Sequence, residues 1–263
     1  MASATRRSVI AAALGAGATA LLAACGDEVT WRSGRLTTSH WPGHAPRWRL
    51  ALPAGSDRPP LVVVLHGRGG NADAAFDGLR LQDHVARTGL AVASVDGSDL
   101  YWHRRRSGAD PGSMVTDELL PLLRDQTAYA GPVAFLGWSM GGYGSLLLAS
   151  ALGPRAVGAV VAESAALWTE PGASAAGAFD DREDFEAHDV FEPSRTRVLA
   201  RIPVRLDCGA TDPFVAANRA FATRLPSARL TVDDGGHNTA YWRAHASAQL
   251  DWVAATLRDK RGA

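Results

Sequence analysis

Lysine and cysteine are nearly missing from this chain of 263 residues: Lys260 is the only lysine, and Cys25 and Cys208 are the only cysteines. Net charge is missing too, since 27 basic residues meet 27 acidic ones and no basic run recurs. That balance excludes the positive face that a nucleic-acid partner requires. The preference for arginine and alanine reads as the mark of a G+C-rich genome. No cysteine–histidine cluster has metal-ligand spacing, so no metal site is expected. No internal repeat and no second core are visible, and 46% hydrophobic residues suit one α/β domain of this length.

The apolar stretch from Val9 to Ala24 is too short for a comfortable transmembrane helix. Arg6 and Arg7 precede it, which is the order of a signal peptide over residues 1–24. The stretch ends in Leu22-Ala23-Ala24-Cys25, which resembles a bacterial lipobox, with Cys25 as the acylated first residue of the mature chain. The paired arginines also resemble a twin-arginine signal. Without residues 1–24 the chain keeps 25 basic and 27 acidic residues, because Arg6 and Arg7 are the only charges lost. Membrane attachment is then expected through acyl chains alone, on the outer side of the cytoplasmic membrane. An acylated Cys25 leaves Cys208 without a disulfide partner, and its setting in Val204-Arg205-Leu206-Asp207-Cys208 predicts a core thiol.

Residues 25–46 are polar and aperiodic, and are expected to form a flexible tether to a domain over 47–263. Trp48 to Leu52 alternates as an edge strand does. Leu61 to Leu65, Leu90 to Val95, Pro132 to Leu136, Ala156 to Ala162, Pro203 to Cys208 and Ala228 to Val232 read as buried strands. Helical patterns fall at Ala74 to Arg87, Met114 to Leu123, Tyr143 to Leu152 and about Tyr241 to Leu257. Such alternation predicts a doubly wound, mostly parallel sheet with helices on both faces. Residues 164–197 are acidic and weakly periodic, and are expected to form a small cap.

Between a predicted strand and a predicted helix lies Gly137-Trp138-Ser139-Met140-Gly141, a G-x-S-x-G sequence. Its glycines leave room for a turn sharp enough to hold the Ser139 hydroxyl above the sheet. A serine hydroxyl needs a base, and His237, between the last strand and the last helix, is the candidate. His40, His44, His84, His188 and His245 read as ordinary surface or core residues. The base needs a carboxylate to fix its tautomer. Asp212 follows a buried strand directly, with Glu163 and Asp207 as the alternatives. A developing oxyanion needs backbone donors: the Met140 N–H, and the Arg68 N–H of His66-Gly67-Arg68-Gly69-Gly70, with Gly69 as the fallback. Tyr101, Trp102 and His103, with Arg104 to Arg106, form a candidate substrate loop.

With these residues placed, the chain resembles the putative-esterase family of α/β-hydrolases, which includes S-formylglutathione hydrolases, feruloyl esterases and mycolyltransferase antigens. The resemblance runs from about Trp48 to Leu257. It rests on Leu65-His66-Gly67, Val115-Thr116-Asp117-Glu118-Leu119-Leu120-Pro121, Gly137-Trp138-Ser139-Met140-Gly141-Gly142, and Gly236-His237 followed by Tyr241-Trp242-Arg243. It implies an α/β-hydrolase fold and cofactor-free ester chemistry on a small-molecule or lipid ester. It also implies a triad of Ser139, Asp212 and His237, with oxyanion donors at Arg68 and Met140. Acyl transfer by the same triad is the alternative, and a silent binding protein on the scaffold is a third. The loop departs from the Asp-Gly opening of the mycolyltransferases, and both that and the small cap argue against a very long acyl chain.

Overall fold

The computed structural model describes residues 29–260. Cys25 and the expected signal peptide lie outside the described residues. Eight strands form one sheet: β1 (Val29–Arg35), β2 (Arg47–Pro53), β3 (Leu61–Leu65), β4 (Ala91–Val95), β5 (Val133–Trp138), β6 (Val157–Glu163), β7 (Val204–Gly209) and β8 (Arg229–Asp233). Their order is β1-β2-β4-β3-β5-β6-β7-β8. β2 pairs antiparallel with β1 and β4, and every other pairing is parallel. The helices are α1 (Ala74–Asp77), α2 (Val85–Thr88), α3 (Pro111–Ser113), α4 (Leu120–Thr127), α5 (Met140–Leu152), α6 (Arg182–His188), α7 (Pro193–Leu199), α8 (Val215–Arg224) and α9 (Thr239–Asp259).

Period two along the central strands sorts the core. Val62 and Val64 join the layer containing Phe76, Leu250, Val253 and Leu257, whereas Val63 and Leu65 join the opposite layer with Leu123, Leu146 and Phe221. Both faces are therefore covered, as the continuous apolar strands predicted.

Three expectations need correction. The tether is not wholly a tether: residues 29–35 form β1, paired with β2 from Val29↔Pro53 to Arg35↔Arg47. β2 consequently lies inside the sheet, and β1 is the edge. Most β1 side chains are exposed, so the strand carries the polar residues that suit an edge. Second, the helix expected over 74–87 is broken. The same apolar residues, Phe76, Leu79, Leu81 and Val85, are buried, but Arg80 turns left-handed at φ 60° and ends the first helical piece. Third, the helix expected over 114–123 runs from Pro111 to Thr127 in three pieces, with a π-turn at Met114–Leu119. Pro121 has no N–H and its ring crowds the carbonyl four residues back, which explains the widened turn just before it. The segment expected as a cap at 164–197, by contrast, is not contradicted: it contains α6 and most of α7 and is anchored to α5. Tyr143 Oη–H donates to the His188 carbonyl at 2.9 Å, and Arg195 donates to Ser150 Oγ at 3.1 Å.

Candidate active site

The turn between β5 and α5 is built by collisions that only glycine avoids. A Cβ on Gly137 would strike the Gly141 carbonyl, and a Cβ on Gly141 would strike the Leu65 carbonyl. Ser139 between them adopts φ 54° and ψ −122°, a strained conformation held by its surroundings. Its N–H donates to the Glu163 carbonyl at 2.9 Å, and its own carbonyl accepts from Ala166 N–H at 3.0 Å. The turn is thereby tied to the end of β6.

Loops from β7 and β8 bring the partners. Ala210 N–H donates to the Asp233 carbonyl at 2.7 Å, and Thr211 reaches the Gly235 carbonyl from its N–H at 2.9 Å and its hydroxyl at 2.8 Å. Stitched in this way, the loops set Asp212 and His237 side by side. His237 Nδ1 lies 2.9 Å from Asp212 Oδ2, and His237 Nε2 lies 2.9 Å from Ser139 Oγ. With Nδ1–H donating to the carboxylate, Nε2 faces the hydroxyl as an acceptor. Asp212 is nearly fully buried and also accepts the Phe214 N–H at 2.8 Å. Burial opposes its charge, but the bonds from His237, Phe214 and Ser164 outweigh that cost and hold the carboxyl below its ordinary range. Ser164 is in turn fixed by Trp242 Nε1–H, at 3.1 Å from its Oγ.

The other two carboxylates meet no such histidine bond. Glu163 is fully buried with Gln249 as a polar neighbour, and burial followed by the charge of Asp207 pushes its pKa well up. Asp207, its register partner, accepts from Arg205 Nε at 2.7 Å and from Gln249 at 3.0 Å. Both belong to a polar layer beneath the site. Cys208 is a buried free thiol, and burial pushes its pKa to about 12.

Across from His237, the loop after β3 closes on Ser139. A Cβ on Gly67 would come within 3.3 Å of Ser139 Cβ and 2.8 Å of Trp138 Nε1. Gly69 N–H is occupied by Asp99 Oδ1 at 2.6 Å, and Gly70 N–H by the Gly67 carbonyl at 3.0 Å. Arg68 N–H and Met140 N–H have no protein acceptor among the described residues, and Met140, as the first residue of α5, has none to expect. His66 braces this loop from below: its Nε2 accepts Gly97 N–H at 3.0 Å, which leaves Nδ1–H to donate to the Gly67 carbonyl at 2.8 Å. Burial lowers its pKa, so the ring is a neutral strut.

The expected substrate loop is corrected by burial. Trp102 is fully buried, and its ring and backbone fill space that a Cβ on Gly97, Gly112 or Gly144 would invade. His103 is buried under the segment of α6, with Nε2 3.1 Å from the Ala178 carbonyl. Tyr101 is linked to the site through Trp168, at 5.8 Å between ring centroids, and Trp102 through the edge of His66, at 5.1 Å. The aromatic rim consists instead of Trp168, Phe214 and Trp242. Trp168 meets Phe214 at 5.6 Å, Phe214 meets His237 at 5.2 Å, and Trp242 meets His237 edge-on at 5.1 Å. Trp242 lay in a motif carried by the resemblance; Phe214 follows Asp212-Pro213 directly, which was the available signal. A cavity of about 190 Å³ adjoins the Arg68 loop, lined by Gly67, Arg68, Leu79, Trp138 and Trp242 among others.

Residues 39–253 match the family model described as "Putative esterase". No curated protein matches the chain. Among solved structures, the fold is similar to a ferulic acid esterase, with TM-score 0.75 and 18% identity over 88% of this chain and 99% of the other. It is also similar to an S-formylglutathione hydrolase from Staphylococcus aureus, with TM-score 0.72 and 16% identity over 86% and 99%. MPT51 of Mycobacterium tuberculosis gives TM-score 0.67 and 18% identity over 87% and 99%.

Proposed function

The chain belongs to the putative esterase family, and on that premise we propose that it hydrolyses carboxylic esters with Ser139 as nucleophile, His237 as base and Asp212 as the acid that orients it. The observation that carries this reading is the unbroken hydrogen-bond chain from Asp212 Oδ2 through His237 to Ser139 Oγ, with both links at 2.9 Å. His237 Nε2 takes the hydroxyl proton as Ser139 Oγ bonds to the ester carbonyl carbon. Negative charge gathers on the carbonyl oxygen, where the Arg68 and Met140 N–H groups donate to it. The imidazolium, steadied by Asp212, returns its proton to the departing alkoxide, and an alcohol leaves. Water then attacks the acyl-enzyme with His237 again as base, so the cycle needs no cofactor. The small cavity beside Arg68 favours a short acyl group or a compact alcohol. Export and acylation of Cys25 complete the proposal and rest on residues 6–25 alone; fatty-acid-analogue labelling should disappear in Cys25→Ala.

The test of the chemistry is turnover of a short p-nitrophenyl ester together with labelling by a fluorophosphonate probe. Ser139→Ala should lose the label and lower turnover by about a millionfold, as expected when the three residues act as a unit. Undiminished hydrolysis by that variant would refute the assignment.

A further inference from the structure

Away from Ser139, two histidines and a carboxylate converge where the loop after β4 meets α6. His188 Nδ1 lies 2.9 Å from Asp184 Oδ1, and His103 Nδ1 lies 3.5 Å from the same oxygen. The imidazole rings stack with centroids 4.3 Å apart. Two carbonyls complete the cluster: Arg104 O is 3.0 Å from His103 Nδ1, and Asp184 O is 2.9 Å from His188 Nδ1. Two ring nitrogens, one carboxylate oxygen and two carbonyl oxygens thus share one small space, with the His188 Nδ1 hydrogen between its ring and Asp184.

His103 shows why the cluster needs a cation. Its Nδ1 faces one carbonyl and its Nε2 faces another, Ala178 O at 3.1 Å. A neutral imidazole has one N–H, so either tautomer sets a lone pair against a carbonyl. The tautomer with Nε2–H bonded to Ala178 O leaves the Nδ1 lone pair directed at Asp184, the arrangement in which a carbonyl orients a metal-bound histidine.

Local charge points the same way. Arg105 pairs with Asp180 and Arg106 pairs with Asp181, whereas Asp184 has no arginine partner among the described residues. Asp184 Oδ2 is held by Asp180 N–H at 2.7 Å, which leaves Oδ1 to the histidines. The cluster borders a cavity of about 330 Å³ lined by Arg104, Asp184 and His188 among others, which gives an ion a path of entry.

We propose that His103 Nδ1, Asp184 Oδ1 and His188 Nδ1 bind a divalent transition-metal ion of the zinc class, which clamps the loop after β4 to α6. The three ligand atoms already lie within 4.8 Å of one another. A tetrahedral zinc with bonds of about 2.0–2.2 Å separates its ligands by about 3.3 Å, so His188 Nδ1 and Asp184 Oδ1 must part slightly and the two stacked rings must turn their edges toward a common point. Two imidazoles and one carboxylate favour zinc, nickel or copper over calcium or magnesium. Water from the cavity supplies the fourth ligand. Binding displaces the proton that His188 Nδ1 shares with Asp184.

The experiment uses the untagged chain, stripped with a chelator and titrated with zinc chloride by calorimetry, with cobalt absorption as a second readout. One equivalent of zinc should bind near neutral pH and raise the unfolding temperature. His188→Gln, on a partly exposed ring at the end of α6, should keep the fold and weaken binding by more than about a hundredfold. Asp184→Asn should do the same. Absence of stoichiometric binding overturns the proposal, as does zinc binding unchanged in His188→Gln. Each readout is independent of ester turnover.

Discussion

Two turns beside the site carry the same kind of strain and are stabilised in different ways. At the β5–α5 turn, Ser139 has φ 54°; in the loop after β4, Ser98, Tyr101 and Trp102 have φ 50°, 56° and 60°. Each such residue costs on the order of 1–3 kcal/mol unless its surroundings impose it. Around Ser139 the room comes from Gly137 and Gly141, within two residues, and a five-residue pattern describes the whole device. Around Trp102 it comes from Gly97, Gly112 and Gly144, on three different parts of the chain. The first turn presents a hydroxyl at the surface of the site, and the second inserts an indole into the core. Strained backbone next to the proposed nucleophile is therefore not by itself a sign of substrate contact. What distinguishes the two turns is what the strained side chain reaches.

If that contrast is right, changes on the catalytic edge should cost rate, and changes in the loop should cost stability. The largest effect is expected for Asp212→Asn, which keeps the shape of the side chain but disturbs the His237 tautomer. Its kcat on a short ester should fall by about 10⁴-fold, with the unfolding midpoint little changed. Trp102→Ala should do the reverse. Emptying that slot should lower unfolding free energy by about 3–5 kcal/mol in denaturant titrations, while the folded fraction keeps its turnover. A large loss of kcat with unchanged stability would return Trp102 to the substrate rim.

Glu163→Gln gives the smallest effect and the sharpest test, because Glu163 lies on the catalytic edge yet is expected to behave like the loop. Its kcat/KM should stay within about tenfold of the parent, a barrier change under about 1.4 kcal/mol. Glu163 faces Asp207, Arg205 and His245, with Asp233 beyond. Its folded pKa stands above the ordinary 4.5, so the folded form favours the protonated acid. The stability it contributes is complete below about pH 4.5 and declines as pH rises toward the folded pKa. Glutamine does not titrate. The stability of Glu163→Gln relative to the parent should accordingly increase between pH 4.5 and 7, and a pH-independent difference would contradict the burial argument.

Much of the site could be read from the chain because each of its parts is announced within a few residues. Gly137 to Gly141 defines a turn, and Asp212 and His237 each follow a strand that continuous apolar residues reveal. The parallel sheet was legible for the same reason. β1 was not, since an edge strand with one antiparallel neighbour can be polar throughout and resembles a tether. The role of Trp102 was not legible either, because the glycines that accommodate it signal nothing in their own segments. Asp184 and His188 stood at helical spacing, but His103, the residue that turns this pair into a cluster, comes from a distant loop.

The stitched loops after β7 and β8 have one more consequence, which concerns time. Ser139 and His237 are 98 positions apart, and Asp212 and His237 are separated by 25. A ribosome therefore makes the proposed nucleophile well before its proposed base, and for that interval the hydroxyl has no means of activation. Thr211 cannot bind the Gly235 carbonyl until the strand that leads to it has been synthesised and added to the sheet. Reactivity is thus postponed to the last stage of assembly: a nascent chain halted before β8 would lack His237 and leave the Ser139 hydroxyl without a base.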